Sequence, residues 1–483
     1  MAENFNPSGV EIEKAELISY DGKTRTDIGS GNYIYGWSIS QSMNAVAYSG
    51  TIDILDTSGI LEGMPIRGEE SLNLWLVGLD MQTQVKISAR IHKVSDIKPK
   101  SNSGGATYTL HFISKQTFKA STKSITRSYL NRPSEMAREI FDDNFASLDA
   151  GTKFDSELSK IPLPYNATSY NIIKEGDTRN EPLRSFVVQP TDNKAQIIVP
   201  DLSPTEAMFF VASRSLSSES TSQSYKFFET IENYYYCTDE YFIKKANEKS
   251  GDILNLFFAP VVDLDATNVK AQINRIEDFQ VMSKGIDTST DIHSGAYRSE
   301  VVEIDFVHRR LTYNKFNYDT DAKYIDMNAK VRSLDENPHT AEFRKDTFTE
   351  ANAKRFMIFK DFASKGEPAS NIQGDMRLTD IVHNRISYYH HLNNTQVVAN
   401  MKGRLDIRPG MIVNVDIKAL DSVDATMTLN ESLSGKYLVQ STSHTMSEGT
   451  LYCGMKMAKF DWSGQTQLAP NETTDIADRG NRI

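Results

Sequence analysis

The chain has 483 residues and a mass of 54.3 kDa, which at roughly 100–200 residues per domain means several modules, not one core. With 53 Lys and Arg against 64 Asp and Glu the net charge is −11, which argues against a protein whose main work is gripping duplex phosphates. Charged residues at 24% and hydrophobic residues at 39% exclude wholesale disorder. Two cysteines, Cys237 and Cys453, with no CxxC anywhere, exclude zinc ribbons, thioredoxin-like centres and a disulfide framework. They fit a reducing compartment, or indifference to redox.

In chain order, the N-terminus MAENFNPSGVEIEKAEL is polar and acidic where a signal peptide has a basic start and an apolar stretch, so export by that route is not expected. No run approaches the roughly 18 apolar residues that cross a bilayer, and no membrane span is expected. From Gly9 to about Phe118 short alternating segments are broken by turn residues: YIYGWSIS (33–40), GTIDILD (50–56), SLNLWLV (71–77), QVKISARIHKV (84–94) and ATYTLHFIS (106–114). They predict strands of a small antiparallel barrel or sandwich. After Phe118, Pro133 opens a helix in PSEMAREIFDDNFASL, and Ser203 caps a second that starts at Pro204. The stretch 225–246 reads as an aromatic hairpin leading into a short helix, so the middle of the chain is mixed α/β. Strands return with FQVMS (279–283), EVVEIDFVH (300–308) and RLTYNKF (310–316). A charged, mostly helical-looking stretch, 317–380, interrupts, and strands resume at 396–407, 411–417, 435–446 and 450–462. The tail from Gln465 has few apolar residues and is expected to be flexible.

The two β regions resemble each other in form. QVKISARIHKV followed by ATYTLHFIS matches SGKYLVQSTSHTM followed by TLYCGMKMAKF. Upstream, EGMPIRGEESLNLWL matches RLDIRPGMIVNVDI, each a Pro/Gly turn feeding an apolar strand.

Motifs for chemistry are incomplete. Gly22, Lys23 and Thr24 end a Walker pattern whose opening glycine is replaced by Leu17, so a turn is expected. Gly29, Gly31 and Gly36 miss the GxGxxG spacing. Asn317, Asp319 and Asp321 start like a calcium loop but have Ala322 where the sharp turn needs Gly and Asn328 where a Glu is expected. His383, His390 and His391 with Asp380 form the densest histidine group. His390 and His391 are expected on opposite faces of a strand, so at most one joins His383. Lys115, Lys119, Lys123 and Arg127 recur every four residues, but the intervening residues favour an extended link over a helical basic stripe. The aromatics of 225–242 are expected in a core. No catalytic residue, metal ligand or cofactor site is expected, which shifts weight towards a structural or assembly protein.

Three segments together resemble the baseplate hub proteins of contractile-tailed bacteriophages, whose fold is shared by the hub part of type VI secretion spikes. They are AVAYSGTIDILDTSGILEGMPIRGEESLNLWL (45–76), VPDLSPTEAMFFVASRS (199–215) with KFFET (226–230), and GRLDIRPGMIVNVDI (403–417) with SGKYLVQSTSHTMSEGTLYCGMKMAKFD (434–461). The resemblance implies an α+β multidomain chain with two similar antiparallel tube-like β-barrels. The first is expected at 1–118, a mixed α/β domain at 119–276, the second barrel at 277–316 and 385–464, a charged, partly helical insertion at 317–384 and a tail at 465–483. It implies a homotrimer without enzymatic activity or cofactor, at the tail baseplate of a virion and assembled in the host cytoplasm. Its partners are a central spike, a tail tube or tube-initiator protein and baseplate wedge proteins, and DNA passes its channel without specific binding. An acidic channel lining would suit that passage, since it repels phosphates.

Leu61, Met64, Pro65 and Ile66, flanked by Glu62, Arg67, Glu69 and Glu70, read as an apolar tip with a charged rim. That tip and the strand 450–462, with Tyr452, Met455 and Met457, are the expected ring or axial contacts. A cell-wall hydrolase using carboxylates in 120–260 and a carbohydrate-binding module using the 225–242 aromatics are the other functional classes.

Overall fold

The computed structural model describes residues 9–29, 33–64, 66–78, 84–99, 105–145, 168–171, 185–192, 194–220, 222–248, 253–258, 272–284, 288–306, 309–321, 354–359, 378–393, 395–417, 433–447 and 449–460. The alternating segments form strands: β1 (Val10–Ile18), β2 (Arg25–Asp27), β3 (Ile34–Ser42), β4 (Ser49–Asp56), then the single turn α1 (Ile60–Gly63), β5 (Ser71–Gly78), β6 (Gln84–Pro99) and β7 (Ala106–Ser114). The alternation works as its period dictates. Ile87, Ala89 and Ile91 of β6 and Leu72, Leu74 and Leu76 of β5 are at most 1% exposed, and each buried Leu contributes about 1.5–3 kcal/mol. With Trp37, Ile52, Ile54, Tyr108, Leu110 and Phe112 they fill one core. At Gly50 the strands approach so closely that a Cβ would sit 2.1 Å from the Ser38 carbonyl oxygen and 2.4 Å from Phe112. Only glycine fits there.

The middle of the chain continues with α2 (Lys115–Ala120), β8 (Ile125–Asn131), α3 (Pro133–Asn144), β9 (Thr168–Asn171), β10 (Ser185–Val188), β11 (Ala195–Leu202), α4 (Pro204–Ala212), β12 (Lys226–Glu229), β13 (Asn233–Cys237) and α5 (Asp239–Glu248). Ser203 and Glu206 form a reciprocal capping box at the start of α4, with Pro204 in its first turn. β12 and β13 are the expected aromatic hairpin, and β13 also pairs in parallel with β10. Phe141, Phe145, Phe186, Phe227 and Tyr234 stack and edge-pack into a second core. The expected extended link at 115–127 is in fact the helix α2 followed by β8. Thr117 and Ala120 are buried, so burial of that face overrides the weak local propensity of the segment.

The remaining elements are β14 (Leu254–Phe258), β15 (Ile276–Lys284), α6 (Thr288–Ser294), β16 (Arg298–Asp305), β17 (Arg310–Asn317), α7 (Tyr318–Asp321), β18 (Lys354–Phe359), α8 (Leu378–Leu392), β19 (Thr395–Lys402), β20 (Ile412–Ile417), β21 (Gly435–Ser447) and β22 (Thr450–Lys459). The strands at 300–316, expected within the second β region, instead pair with β18 in a separate three-stranded sheet ordered β17-β16-β18. The 317–380 stretch, expected to look mostly helical, therefore contributes a strand, β18, to that sheet. Its residues 322–353 and 360–377, and the tail from 461, lie outside the described residues.

Most of the β structure is antiparallel and belongs to one 13-stranded sheet. One end runs β3-β4-β7-β6-β5-β1 and encloses the core around Trp37. The other runs β15-β19-β22-β21-β20-β14 and encloses Val397, Ala399, Met401, Val413, Val415, Tyr437, Met455 and Met457. The two orders take their strands in the same chain sequence. One pairing differs: β1 is antiparallel to β5, whereas β14 is parallel to β20. The ends are joined where β3 pairs with the second half of β21, from Ser441 opposite Ser42 to Ser447 opposite Gly36.

Candidate assembly surface

The 56–70 turn is built from carboxylates that hold backbone. Asp56 accepts from the N–H groups of Ser58, Gly59 and Leu61 at 3.0, 2.7 and 3.0 Å. Burial would raise its pKa, but these backbone donors outweigh that and lower it. Glu70 is fully buried and accepts from Arg67, Gly68 and Glu69 N–H at 2.7, 2.9 and 3.1 Å. The apolar tip expected here faces inward. Met64 is 4% exposed in the first core, and Leu61 and Ile66 pack partly buried against it, because that core is close enough to take them from water. What reaches solvent is charged: Glu62, Arg67 and Glu69. The Arg67 guanidinium lies over the Tyr20 ring at 5.0 Å. Pro65 lies outside the described residues.

The turn before β20 holds a buried ionic cluster that the sequence reading missed. Arg404 reaches Asp406 Oδ1 at 2.9 Å and Asn274 Oδ1 at 2.6 Å. Arg408 donates to the Leu405 and Ile407 carbonyls and lies 3.3 Å from Glu232. Burial works to raise the Asp406 pKa, and the Arg404 guanidinium more than offsets it, leaving the carboxyl below its usual range. His444, against this cluster, is held down to about 3 by burial and then by Arg408, so it stays neutral. The RxDxR spacing was the available signal. Its segment was read only as a Pro/Gly turn feeding an apolar strand, yet both arginines are at most 6% exposed.

Strand β22 does not offer an edge. It is bonded to β19 on one side and β21 on the other. Met455 and Met457 are 2% and 0% exposed inside the second core, so these two side chains are packing residues and not contacts. Tyr452 alone of the three is exposed, with Lys402 at 5.7 Å from its ring and Lys402 paired to Glu277 at 2.8 Å. Across the β3–β21 junction the solvent face carries small polar groups beside Ala45, Ala47 and Val398. A shallow depression of about 470 Å³ there is lined by Ser40, Ser42, Asn400, Ser443, Gly454 and Lys456, among others. Next to it Ser38 and Thr51 share a 2.7 Å hydrogen bond.

The other sequence candidates have structural partners. His390 and His391 sit on the helix α8, not on a strand. His383 Nδ1 is 2.6 Å from Ser299 Oγ, His390 Nδ1 is 2.9 Å from Asp291, and His391 Nδ1 donates to the Ser387 carbonyl at 2.6 Å. The side chain of Asp380 lies outside the described residues. Arg127 pairs with Glu139 and, at 3.2 Å, with Asp143. It stands on β8 while Lys115 and Lys119 stand on α2, so no single basic stripe forms. Gly22 to Thr24 is the turn between β1 and β2, with the Asp21 carboxylate accepting from Ser19 Oγ and Lys23 N–H. The Asn317 N–H donates to Asp321 at 2.8 Å. Tyr225, Phe227, Phe228, Tyr234 and Tyr236 are buried. Both cysteines are buried, and burial pushes the Cys453 thiol up to about 12. Among the described residues no helix is long and apolar enough to cross a membrane.

No protein-family model matches the chain, and no curated protein does. Solved structures do. The chain is similar to the tail protein from Neisseria meningitidis MC58, at 10% identity, covering 93% of this chain and 97% of that one with a TM-score of 0.46. It is similar to the 43 kDa tail protein of prophage MuSo2 from Shewanella oneidensis, at 10% identity, 92% and 98% coverage and a TM-score of 0.44. It is also similar to the E. coli c3393 protein, described as a component of the type VI secretion system with structural similarity to the T4 bacteriophage tail proteins gp27 and gp5. There the identity is 6%, the coverage 94% and 77%, and the TM-score 0.37.

Proposed function

We propose that the chain is the structural baseplate hub of a contractile phage tail. Three copies present six similar β units as a ring that is pseudo-sixfold towards the tail tube and threefold towards the central spike. That ring nucleates baseplate assembly and surrounds the path by which DNA leaves. The observation that carries this reading is the repeated strand order, β3-β4-β7-β6-β5-β1 and β15-β19-β22-β21-β20-β14, within one sheet. Two abutting rings of unequal symmetry cannot make equivalent contacts everywhere. A chain carrying two copies of one unit relieves that mismatch.

The pairs of the two hairpins support the duplication in detail. β6 and β21 each carry an irregularity after the third of three corresponding pairs: Ala89–Ser114, Arg90–Ile113 and Ile91–Phe112 in one, Tyr437–Lys459, Leu438–Ala458 and Val439–Met457 in the other. The strands before them align as well. Leu72 opposes Ala89 as Val413 opposes Tyr437, and the same offset superposes Ile66–Arg67 on Ile407–Arg408. Passage of DNA is supported by the junction face, whose serines, threonine and asparagine offer phosphates few counter-charges to displace. Lys456 adds a positive charge to this face, and the acidic channel lining is an expectation about the assembled ring.

The carbohydrate-binding reading loses its support, because its aromatics are core. In the 120–260 region two of the buried carboxylates are held in structural contacts: Glu229 accepts from Ser114 and Thr117, and Asp239 pairs with Lys226 at 2.9 Å. Electron-microscope class averages of the purified chain test the proposal. A six-lobed ring with threefold symmetry is expected, and single particles with neither a ring nor a central channel would overturn it.

A further inference from the structure

Within the chain the two ends of the large sheet are joined by strand pairing. The first half of β21 pairs with β20, but from Ser441 onward the same edge of β21 is taken by β3, the outermost strand of the other unit. β6 is the counterpart of β21. Its first half pairs with β5 up to Arg90 opposite Ser71, and the Ile91 N–H donates to the Glu70 carbonyl at 2.9 Å. Beyond that point no described strand pairs with this edge, although β6 runs on to Pro99 bonded to β7 on its other side. The counterpart of β3 is β15, which ends the sheet and among the described strands pairs with β19 alone.

We infer that β6, from Lys93 to Pro99, pairs antiparallel with β15 of a second copy of this chain, repeating between chains the β21–β3 junction within one. This rests on the homotrimer reading for closure of the ring and supplies the contact that closes it. The register follows by carrying each pair across the repeat. Thr445 opposes Ser38 in the internal junction. Lys98 pairs with Thr107 as Thr445 pairs with Tyr452, and Gln280 pairs with Val398 as Ser38 pairs with Thr51. Lys98 therefore faces Gln280, and Ser95, counterpart of Ser443, faces Ser283, which pairs with Gln396 as Ser40 pairs with Ser49.

The exposed groups on the two edges suit each other. β6 offers Lys93, Lys98 and Ile97, the last 52% exposed, and β15 offers Glu277, Asp278 and Met282, the last 56% exposed. Unpaired edges carrying exposed apolar residues are a liability in a lone chain. Pro99, lacking an N–H, ends the run.

Mixing tests this. A chain carrying Ser95→Cys is combined with one carrying Ser283→Cys and oxidised, the native cysteines being buried. A covalent dimer is expected that forms only in the mixture and at least tenfold more than when Ser95→Cys is mixed with Asp278→Cys, which is out of register. Equal yields in the two mixtures, or no crosslink, would overturn the pairing. Light scattering on the unmodified chain separates the two claims: a trimer without the crosslink discards this interface and keeps the homotrimer, whereas a monomer discards both.

Discussion

Asp142, on α3, has one carboxylate oxygen without a hydrogen-bond partner. Burial, and next the charge of Asp143, push its pKa up to about 6 from 3.8. A raised folded-state value means that the neutral acid is the form the native state favours. Its contribution is full below about pH 3.8 and is lost as pH rises through 6. Asp142→Asn should therefore stabilise the chain at pH 8 by about 1–2 kcal/mol, after discounting for the partial exposure of the site, and should bring no gain at pH 4. Denaturant titrations of both proteins at the two pH values check this, and an equal effect at both would be against it. Asp56 in the 56–70 turn behaves in the opposite sense, its pKa lowered by backbone donors; it and Glu70 each hold several backbone N–H groups, so they are structural staples of a tip that the sequence presents as an apolar patch. Period-2 alternation shows which strand residues point inward, but a loop has no period. Nothing in LEGMPIRGEE shows that Met64 turns into the core and that Glu70 is buried beneath it.

At the scale of elements, local signals were read well where they are strong. The strands from β3 to β7, the Pro-initiated helices and the aromatic hairpin stand where alternation, caps and proline put them. The Ser203 cap is the clearest case, its hydroxyl 3.3 Å from Glu206 N–H while Glu206 reaches back to Ser203 N–H at 3.0 Å. Ser203→Ala should cost about 1 kcal/mol, seen as a lower denaturation midpoint with the far-ultraviolet circular dichroism unchanged; no change in midpoint would show that packing alone places α4. Pairing partners were much less legible. The strands at 300–316 look like any half-buried strands, and only residues 354–359, far along the chain, divert them to a sheet of their own. Histidines 390 and 391 were misplaced for a similar reason: LTDIVHNRISYYHHL carries β-branched and aromatic residues, yet it folds as a helix because Ile381, Tyr388 and Leu392 share a buried face.

At the scale of the molecule, both β regions were read in one form, a turn, an apolar strand and a long hairpin, and their strands take the same order in the sheet. The Ile-Arg pairs at 66–67 and 407–408 are the firmest sequence trace of that form. The joining of both regions in one sheet was not visible, because Ser441 to Ser447 and Gly36 to Ser42 carry small polar residues on their wet face that announce no partner. Stability within the chain therefore comes from separate cores, whereas the account of assembly rests on edges: one joined internally at β3 and β21, its counterpart left open at β6 and β15. With six β units in a ring, as proposed, pairing of these two edges closes it at three copies. The mass of the purified chain in solution, measured by light scattering, tests this most directly. The account predicts three times 54.3 kDa, about 163 kDa, and a mass that stays at 54.3 kDa as concentration rises would contradict it.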